Sequence, residues 1–173
     1  MIYIFDTSSL ITPFRLYYAE DIAPSFWKKL EVLARNGTVC LIDKVKNEIT
    51  KLDDELSKKV KQWFPKAVPF SQKASNDNLF ISLFSEEEEK SYREVIFWAE
   101  SSTYNKRAIE EFKEADKADA FVIAFCKAHG LVLVTEEKFS RKKKRIPIPN
   151  ACKELGVKYI NIFDFMRREG IQL

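Results

Sequence analysis

Glycine is too scarce in this sequence to form a phosphate-binding loop. Only four of the 173 residues are glycines, and each stands alone: Gly37, Gly130, Gly156 and Gly170. P-loops and dinucleotide-binding turns need several glycines close together, so that the backbone can approach a phosphate. The sequence therefore excludes P-loop nucleotide hydrolases and domains of the GxGxxG type.

Histidine and cysteine are scarce as well. The one histidine, His129, follows an apolar segment, where a packed or dipole-stabilised imidazole is the common outcome and a catalytic role is the alternative. Three cysteines, Cys40, Cys126 and Cys152, are odd in number, far apart and set among apolar residues. This pattern is typical of buried thiols in a reducing compartment. The counts exclude histidine-rich metal sites.

Long hydrophobic runs are missing too. No apolar run reaches the roughly 18 residues that a transmembrane helix needs. The chain begins MIYIFD, without the basic segment and longer apolar stretch of a signal peptide. We therefore expect a cytoplasmic protein with no membrane association.

Large apolar side chains for a core are abundant. Hydrophobic residues make up 46% of the chain, including 14 Phe, 6 Tyr and 3 Trp. This composition excludes a disordered chain or a coiled coil, and the length predicts a single domain over residues 1–173. Lys and Arg number 29 against 26 Asp and Glu, giving a net charge of +3. So small an excess neither proves nor excludes a nucleic-acid partner.

Short apolar runs alternate with helical patterns along the chain. The runs predict strands at 2–5, 39–42, 131–134 and 157–160. The helical signals are a segment from Pro24 to Gly37, N-caps at Asp43, Asn150 and Asn161, an apolar stripe over 56–63, a capping box at Ser85 with a solvated acidic turn at 86–89, and a nearly all-apolar segment over 117–129. Residues 66–78 are predicted to cross the surface. The alternation predicts a three-layer α/β/α fold around a parallel sheet of about four to five strands.

Acidic residues follow the predicted strands at the edge of the sheet where ligands bind in such folds. Asp6 directly follows the first strand, and Glu136 and Glu137 come soon after the third. Glu48 lies on the helix that leaves the second strand. Asp6 has an alternative role as a turn residue that bonds its own downstream backbone, and Glu48 alone is weak evidence because helices commonly expose glutamates.

Two more carboxylates mark the start of the most apolar predicted helix. Asp116 and Asp119 are three residues apart and project from one face, although Asp116 alone would also serve as an N-cap. A carboxylate beside so apolar a segment is unfavourable unless something pairs with it. Several carboxylates that converge without matched histidines or cysteines describe a Mg²⁺ or Mn²⁺ site. Such ions activate water for the hydrolysis of phosphodiesters.

Four motifs, in order along the chain, resemble those of the PIN-domain family of metal-dependent ribonucleases. The segment IYIFDTSSL is similar to the first motif, DKVKNEI to the second, ADKADAFVIAFC to the third, and VLVTEEKF to the strand and Thr before the fourth acidic position. The resemblance extends over residues 2 to about 163. The longer middle and the C-terminal part resemble a subgroup related to the toxins of bacterial and archaeal toxin–antitoxin modules.

The resemblance implies a role for each acidic residue. Asp6, Glu48 and Asp119 correspond to the catalytic metal-binding acids, with Asp116 as an assisting ligand. The fourth metal ligand corresponds to Glu137, two residues after the Thr, with the adjacent Glu136 as the alternative. A Glu is longer than the Asp or Asn that the family has there, so it must retract to reach the same metal.

The resemblance also implies an activity and partners. They are those of a Mg²⁺- or Mn²⁺-dependent endoribonuclease that leaves a 5'-phosphate and a 3'-hydroxyl. The protein would form a homodimer, and a toxin of this kind would have an antitoxin protein as its partner.

A basic segment, residues 138–145, follows the last acidic residues. Six of its eight residues are cationic: Lys138, Arg141, Lys142, Lys143, Lys144 and Arg145. Clustered cations beside an acidic edge predict binding of the RNA backbone. The alternatives are a solvated loop and a binding site for an acidic partner such as an antitoxin tail.

Two other functions stay open at this stage. A phosphatase of the haloacid dehalogenase type also begins with a strand-end Asp and uses Mg²⁺, but it needs a second Asp two residues on, where this chain has Ser8. A non-catalytic domain would keep the fold and use the basic segment to bind RNA or protein.

Overall fold

A parallel sheet of four strands forms the centre of the fold, in a computed structural model that describes residues 1–68, 79–81, 85–114 and 117–172. The strands β1 (Tyr3–Phe5), β2 (Val39–Cys40), β5 (Val132–Val134) and β6 (Tyr159–Ile160) lie in the order β2-β1-β5-β6. Strands β3 (Lys66–Val68) and β4 (Leu79–Ile81) form a second parallel pair. The four predicted strands are thus confirmed. Residues 66–68, where the sequence predicts a surface excursion, form strand β3, and residues 69–78 lie outside the described part of the chain.

Helices occupy most of the remaining described chain. They are α1 (Ser8–Thr12), a π-helical turn at Pro13–Tyr17, α2 (Pro24–Arg35), α3 (Asp43–Thr50), α4 (Glu55–Trp63), α5 (Glu86–Ser101), α6 (Lys106–Lys113), α7 (Asp119–His129), α8 (Ile148–Leu155) and α9 (Ile162–Arg168). Among these described helices, none has the length and apolar composition needed to cross a membrane.

Both faces of the sheet are covered, as the three-layer prediction requires. On one face, the rings of Tyr3 and Phe5 meet the ring of Phe165 edge to face, with centroids 5.0 and 4.9 Å apart. Ile4 points to the opposite face and is fully buried. Parallel strands that are buried on both faces have continuous apolar sequences, which explains the short runs. The predicted fold class is confirmed.

The register of the strands brings their carboxyl ends to one edge. Phe5 pairs with Val134 and Ile4 pairs with Cys40, so β1, β2 and β5 end close together. The Asp6 N–H donates to the Val134 carbonyl at 3.1 Å, which extends the pairing by one residue. The residues that follow β1 and β5 are therefore neighbours in space.

Several helix ends differ from the sequence prediction. Helix α8 begins at Ile148 instead of after Asn150, because Pro149 needs no N–H partner in a first turn. Asp43 is the first residue of α3, and its carboxylate accepts a hydrogen bond from the Lys44 N–H at 2.7 Å. The N-cap at Asn161 and the capping box at Ser85 are confirmed.

His129 has a structural partner at the far end of α7. One of its ring nitrogens lies 2.7 Å from Oε1 of Glu88, and the ring packs against Phe125. Glu88 is buried, so the predicted solvated turn is wrong at that residue. His129 lies ten positions after Asp119 on α7, which is about 15 Å along the helix axis. The packed role of His129 is therefore confirmed.

The three cysteines are buried free thiols, as predicted. Burial raises the pKa of the Cys152 thiol to about 12, with the nearby carboxylates of Asp6 and Glu137 adding to the effect. A thiol that stays protonated at neutral pH is a poor nucleophile and a poor metal ligand.

Candidate active site

Asp6 is held at the carboxyl end of β1 by three hydrogen bonds. Its Oδ2 accepts from the hydroxyls of Ser8 (2.8 Å) and Thr135 (2.7 Å), and its Oδ1 accepts from the Ser9 N–H (2.7 Å). The last bond shows that Asp6 also stabilises the local turn. Burial raises the pKa of Asp6 to about 6, although the three hydrogen bonds oppose the shift, and repulsion from Glu137 adds to it.

Glu48 connects two other parts of the site. Its Oε1 accepts the Ala118 N–H at 2.8 Å, and its Oε2 accepts the hydroxyl of Thr7. Ala118 directly precedes α7, and Thr7 directly follows Asp6. Glu48 therefore ties the start of α7 to the end of β1.

Asp119 begins α7 and faces other carboxylates. Burial raises its pKa to about 7, and repulsion from Glu137, Asp6 and Glu48 adds to the shift, whereas Arg145 opposes it. Carboxylates repel in this way only when they lie close together with little water between them. We call Asp6, Glu48, Asp119 and Glu137 the acidic cluster.

The two candidates for the fourth acid point to different places. The Glu137 carboxylate accepts the Ile148 N–H at 2.8 Å, pairs with Arg145, and is only 12% exposed. The Glu136 carboxylate accepts the Ile162 N–H at 2.7 Å, at the start of α9. The structure thus places Glu137 in the acidic cluster and Glu136 outside it.

Arg145 lies between two members of the acidic cluster. Its Nη2 pairs with Oε1 of Glu137 and lies 3.5 Å from Oδ2 of Asp119. This arrangement differs from the free phosphate-binding side chain that the basic segment predicts. The physical reason is that two repelling carboxylates attract the nearest cation. Arg145 also lines a cavity of about 260 Å³ beside Asp119.

The donor atoms of the acidic cluster suit a hard divalent cation, but its side chains are not arranged around one ion. Its donors are all carboxylate oxygens, and their mutual repulsion is what a divalent cation relieves. As the side chains lie, no group of three or more acidic, His or Cys residues in the described ranges is arranged around one ion. Asp116 falls outside those ranges. Arg145 supplies the positive charge, so a metal ion would have to displace its guanidinium.

The basic segment divides its cations between two cavities. Lys138, Lys142, Lys144 and Arg145 line a cavity of about 280 Å³ together with Glu137 of the acidic cluster, and we call it the active-site cavity. Arg141 and Lys143 line a second cavity of about 460 Å³. Four of the six predicted RNA contacts thus share a cavity with Glu137, and two do not.

The sequence analysis did not identify the hydroxyl groups that position Asp6 and Glu48 as part of the site. Thr7, Ser8 and Thr135 bond to Glu48 or Asp6, and Thr135 is 2% exposed. The available signal was polar residues directly after buried strands, since such residues meet at one edge of a parallel sheet.

The fold and the site together define an α/β protein with an acidic cluster at the carboxyl edge of its sheet. The four motifs lie in order around that edge, and the fold that they build is the α/β fold with a central parallel sheet that the PIN resemblance implies. The chain belongs to the DUF4411 family, described as a domain of unknown function, whose model matches residues 3–173.

Two solved structures are similar to the chain at low sequence identity. VapBC2 from Rickettsia felis, bound to a DNA fragment from the VapBC2 promoter, is 17% identical, with a TM-score of 0.48 and coverage of 93% of this chain and 98% of that chain. FitAcB from Neisseria gonorrhoeae is 18% identical, with a TM-score of 0.49 and coverage of 92% and 97%. No curated protein matches by sequence. Similarity at this level does not carry an activity from one protein to another.

Proposed function

We propose that the protein is a metal-dependent endoribonuclease that hydrolyses phosphodiester bonds of single-stranded RNA. The observation that carries the proposal is the convergence of Asp6 and Asp119 with Glu137, where burial and the neighbouring carboxylate charge raise the pKa values of Asp6 and Asp119 beside a loop of cations. Keeping like charges close together lowers the stability of the fold, so such a cluster indicates a functional site. Binding a divalent cation is a function that uses several carboxylates.

Each part of the site has a task in this reaction. Mg²⁺ or Mn²⁺ held by the acidic cluster, with Asp116 assisting, would activate a water and stabilise the charge that develops on the phosphate. Ser8 and Thr135 orient the Asp6 carboxylate through their hydrogen bonds. Lys138, Lys142 and Lys144 bind the RNA backbone in the active-site cavity. By the PIN resemblance, the products carry a 5'-phosphate and a 3'-hydroxyl.

The first expected result is cleavage of a labelled single-stranded RNA that requires Mn²⁺ or Mg²⁺. Excess EDTA should stop the reaction, and added Mn²⁺ should restore it, because a bound divalent cation is what activates the water in the proposed reaction. A gel that resolves product ends measures both cleavage and the end chemistry. Full activity in excess EDTA contradicts the proposal.

A second expected result ranks the two adjacent glutamates. Glu137→Gln should lower the cleavage rate at least tenfold more than Glu136→Gln, because only Glu137 lies in the acidic cluster. Single-turnover rates at saturating Mn²⁺ measure the difference, and circular dichroism checks that both variants fold. The reverse order would assign the fourth acid to Glu136.

We extend the proposal to partners on the strength of the motif resemblance. The protein acts as the cytoplasmic toxin of a two-protein module, as a homodimer, and a cognate antitoxin inhibits it. The exposed cations of the basic segment offer a surface that an acidic antitoxin tail would complement.

A second candidate is a non-catalytic domain that binds RNA or protein. The observation in its favour is Arg145, which neutralises Glu137 and Asp119 without a metal. Titration with Mn²⁺ separates the two candidates. An enzyme should bind the ion and gain thermal stability, whereas a domain whose arginine permanently replaces the ion should do neither.

A further inference from the structure

The second cavity combines aromatic side chains with cations. Its volume is about 460 Å³, and its lining includes Trp98, Tyr104 and Phe139 together with Arg141 and Lys143. Along the basic segment, Phe139, Arg141 and Lys143 line this cavity, and the alternating Lys138, Lys142 and Lys144 line the active-site cavity. The segment thus presents cations to both cavities but its aromatic ring to only one. We call the second cavity the aromatic cavity.

Phe139 offers an accessible ring in this cavity, whereas Tyr104 is only 9% exposed. Phe139 is 52% exposed although it lies in a strongly polar segment. The Lys153 Nζ lies 5.5 Å from the centre of its ring, and the Lys143 Nζ lies 4.5 Å from the centre of the Tyr104 ring. Rings flanked by cations are the surface on which proteins stack the bases of single-stranded nucleic acids.

The cavity is held in shape before any ligand binds. Asn150 accepts the Ser140 N–H at 3.0 Å and donates to the Ser140 carbonyl at 2.7 Å and to the Tyr104 hydroxyl at 2.8 Å. The Asn105 N–H donates to the Lys143 carbonyl at 3.0 Å. These bonds fix the basic segment at two points, which lowers the entropy cost of binding.

We propose that the aromatic cavity receives an unstacked base of the same RNA strand whose backbone lies in the active-site cavity. The proposal rests on the proposed function and adds a base-binding subsite to it. The base stacks on Phe139, and Arg141 and Lys143 neutralise the adjacent phosphates. Because stacking accepts every base, this subsite selects unpaired strands over duplexes rather than a particular sequence.

The test compares two strands of equal length and charge in the presence of EDTA, which prevents cleavage. One is a single-stranded RNA, and the other is an abasic strand with the same phosphates. Wild-type protein should bind the RNA about tenfold more tightly. RNA should also quench the tryptophan fluorescence, because Trp98 lines the cavity whereas Trp27 and Trp63 are 2% exposed.

Matched variants assign the difference to the ring. Phe139→Ala and Phe139→Leu should each lose about tenfold in RNA affinity and leave the abasic strand unaffected. The Leu variant keeps an apolar side chain and so separates the ring face from hydrophobic size. Phe163→Ala removes another exposed ring, on α9, and should change neither affinity. The double substitution Lys142→Gln and Lys144→Gln should weaken both strands equally and reduce the salt dependence.

Equal binding of the two strands by wild-type protein would overturn the proposal. So would an equal loss for both strands in the Phe139 variants, since the segment would then offer only charge, as an acidic protein partner requires. Cleavage is scored separately with Mn²⁺. If binding depends on the bases but no cleavage occurs, the proposed nuclease activity is rejected and the base-binding subsite is retained. If cleavage occurs but binding does not depend on the bases, the subsite is rejected and the nuclease activity is retained.

Discussion

Replacing Asp119 with Asn should abolish RNA cleavage without destabilising the metal-free protein. The substitution removes one charge from the acidic cluster and keeps the shape of the side chain. We expect the rate to fall at least 100-fold, which corresponds to about 2.7 kcal/mol in the barrier. The free energy of unfolding without metal should stay equal or rise by about 1 kcal/mol, since Asp119 is repelled by Glu137, Asp6 and Glu48.

The raised pKa of Asp119 also determines the direction in which the stability of the metal-free protein changes with pH. Because burial and neighbouring carboxylates raise the pKa of Asp119 to about 7, the native state binds more protons than the unfolded state between about pH 4 and 7. The contribution of Asp119 to stability is therefore lost as the pH rises through that window. Asp6 acts in the same direction up to about pH 6. Metal-free Asp119→Asn should show a flatter decline than the wild type.

Urea unfolding at several pH values, with and without Mn²⁺, measures these effects. Mn²⁺ should raise the melting temperature of the wild type more than that of the variant, because ligand stabilisation follows affinity for the native state. Asp164→Asn, on α9 and outside the acidic cluster, is the control and should keep cleavage. A metal-free Asp119→Asn protein that is clearly less stable than wild type and still cleaves RNA would overturn the site assignment.

The sequence predicts where Asp6 and Asp119 lie in the fold because these positions depend on local pattern and sheet topology. Asp6 follows a continuous apolar run, and such a run is a buried strand whose end lies at the ligand edge. Asp119 begins a helix that is apolar nearly all round, so its place in the fold follows from the helix. The different contacts of Glu137 and Glu136 needed the structure, since two adjacent glutamates give the same sequence signal.

Other features depend on contacts between distant parts of the chain. Helix α6 buries Ala108 and Phe112 and packs Ile109 against the core, so its apolar stripe is short, with three of eight residues. Asn150 has the signature of an N-cap, but its amide holds the basic segment instead. Arg145 belongs to a run of cations, and only the fold shows that it turns back toward the acids. The sequence shows that Asn150 and Arg145 are polar or charged, but it does not show which distant residues they contact.

Arg145 therefore gives the second large effect that we expect. In the metal-free protein its guanidinium compensates Glu137 and Asp119, and a divalent cation bound by the same carboxylates would compete with it. Arg145→Gln should raise the affinity for Mn²⁺ about tenfold, equivalent to about 1.4 kcal/mol, because the ion no longer competes with a fixed positive charge. Variants of the proposed ligands, such as Asp119→Asn, should change the affinity in the opposite direction.

Removing Arg145 should lower the stability of the metal-free protein. With the arginine gone, Glu137 and Asp119 repel without compensation, so the melting temperature at pH 8 should fall by roughly 2–4 °C for each kcal/mol of lost stability. Saturating Mn²⁺ should restore it to the wild-type value or above, since the ion then supplies the missing charge. Calorimetric titration and thermal unfolding measure both effects, with Arg141→Gln as the control because Arg141 lines the aromatic cavity. Weaker Mn²⁺ binding by Arg145→Gln would show that Arg145 organises the acids for the ion instead of competing with it.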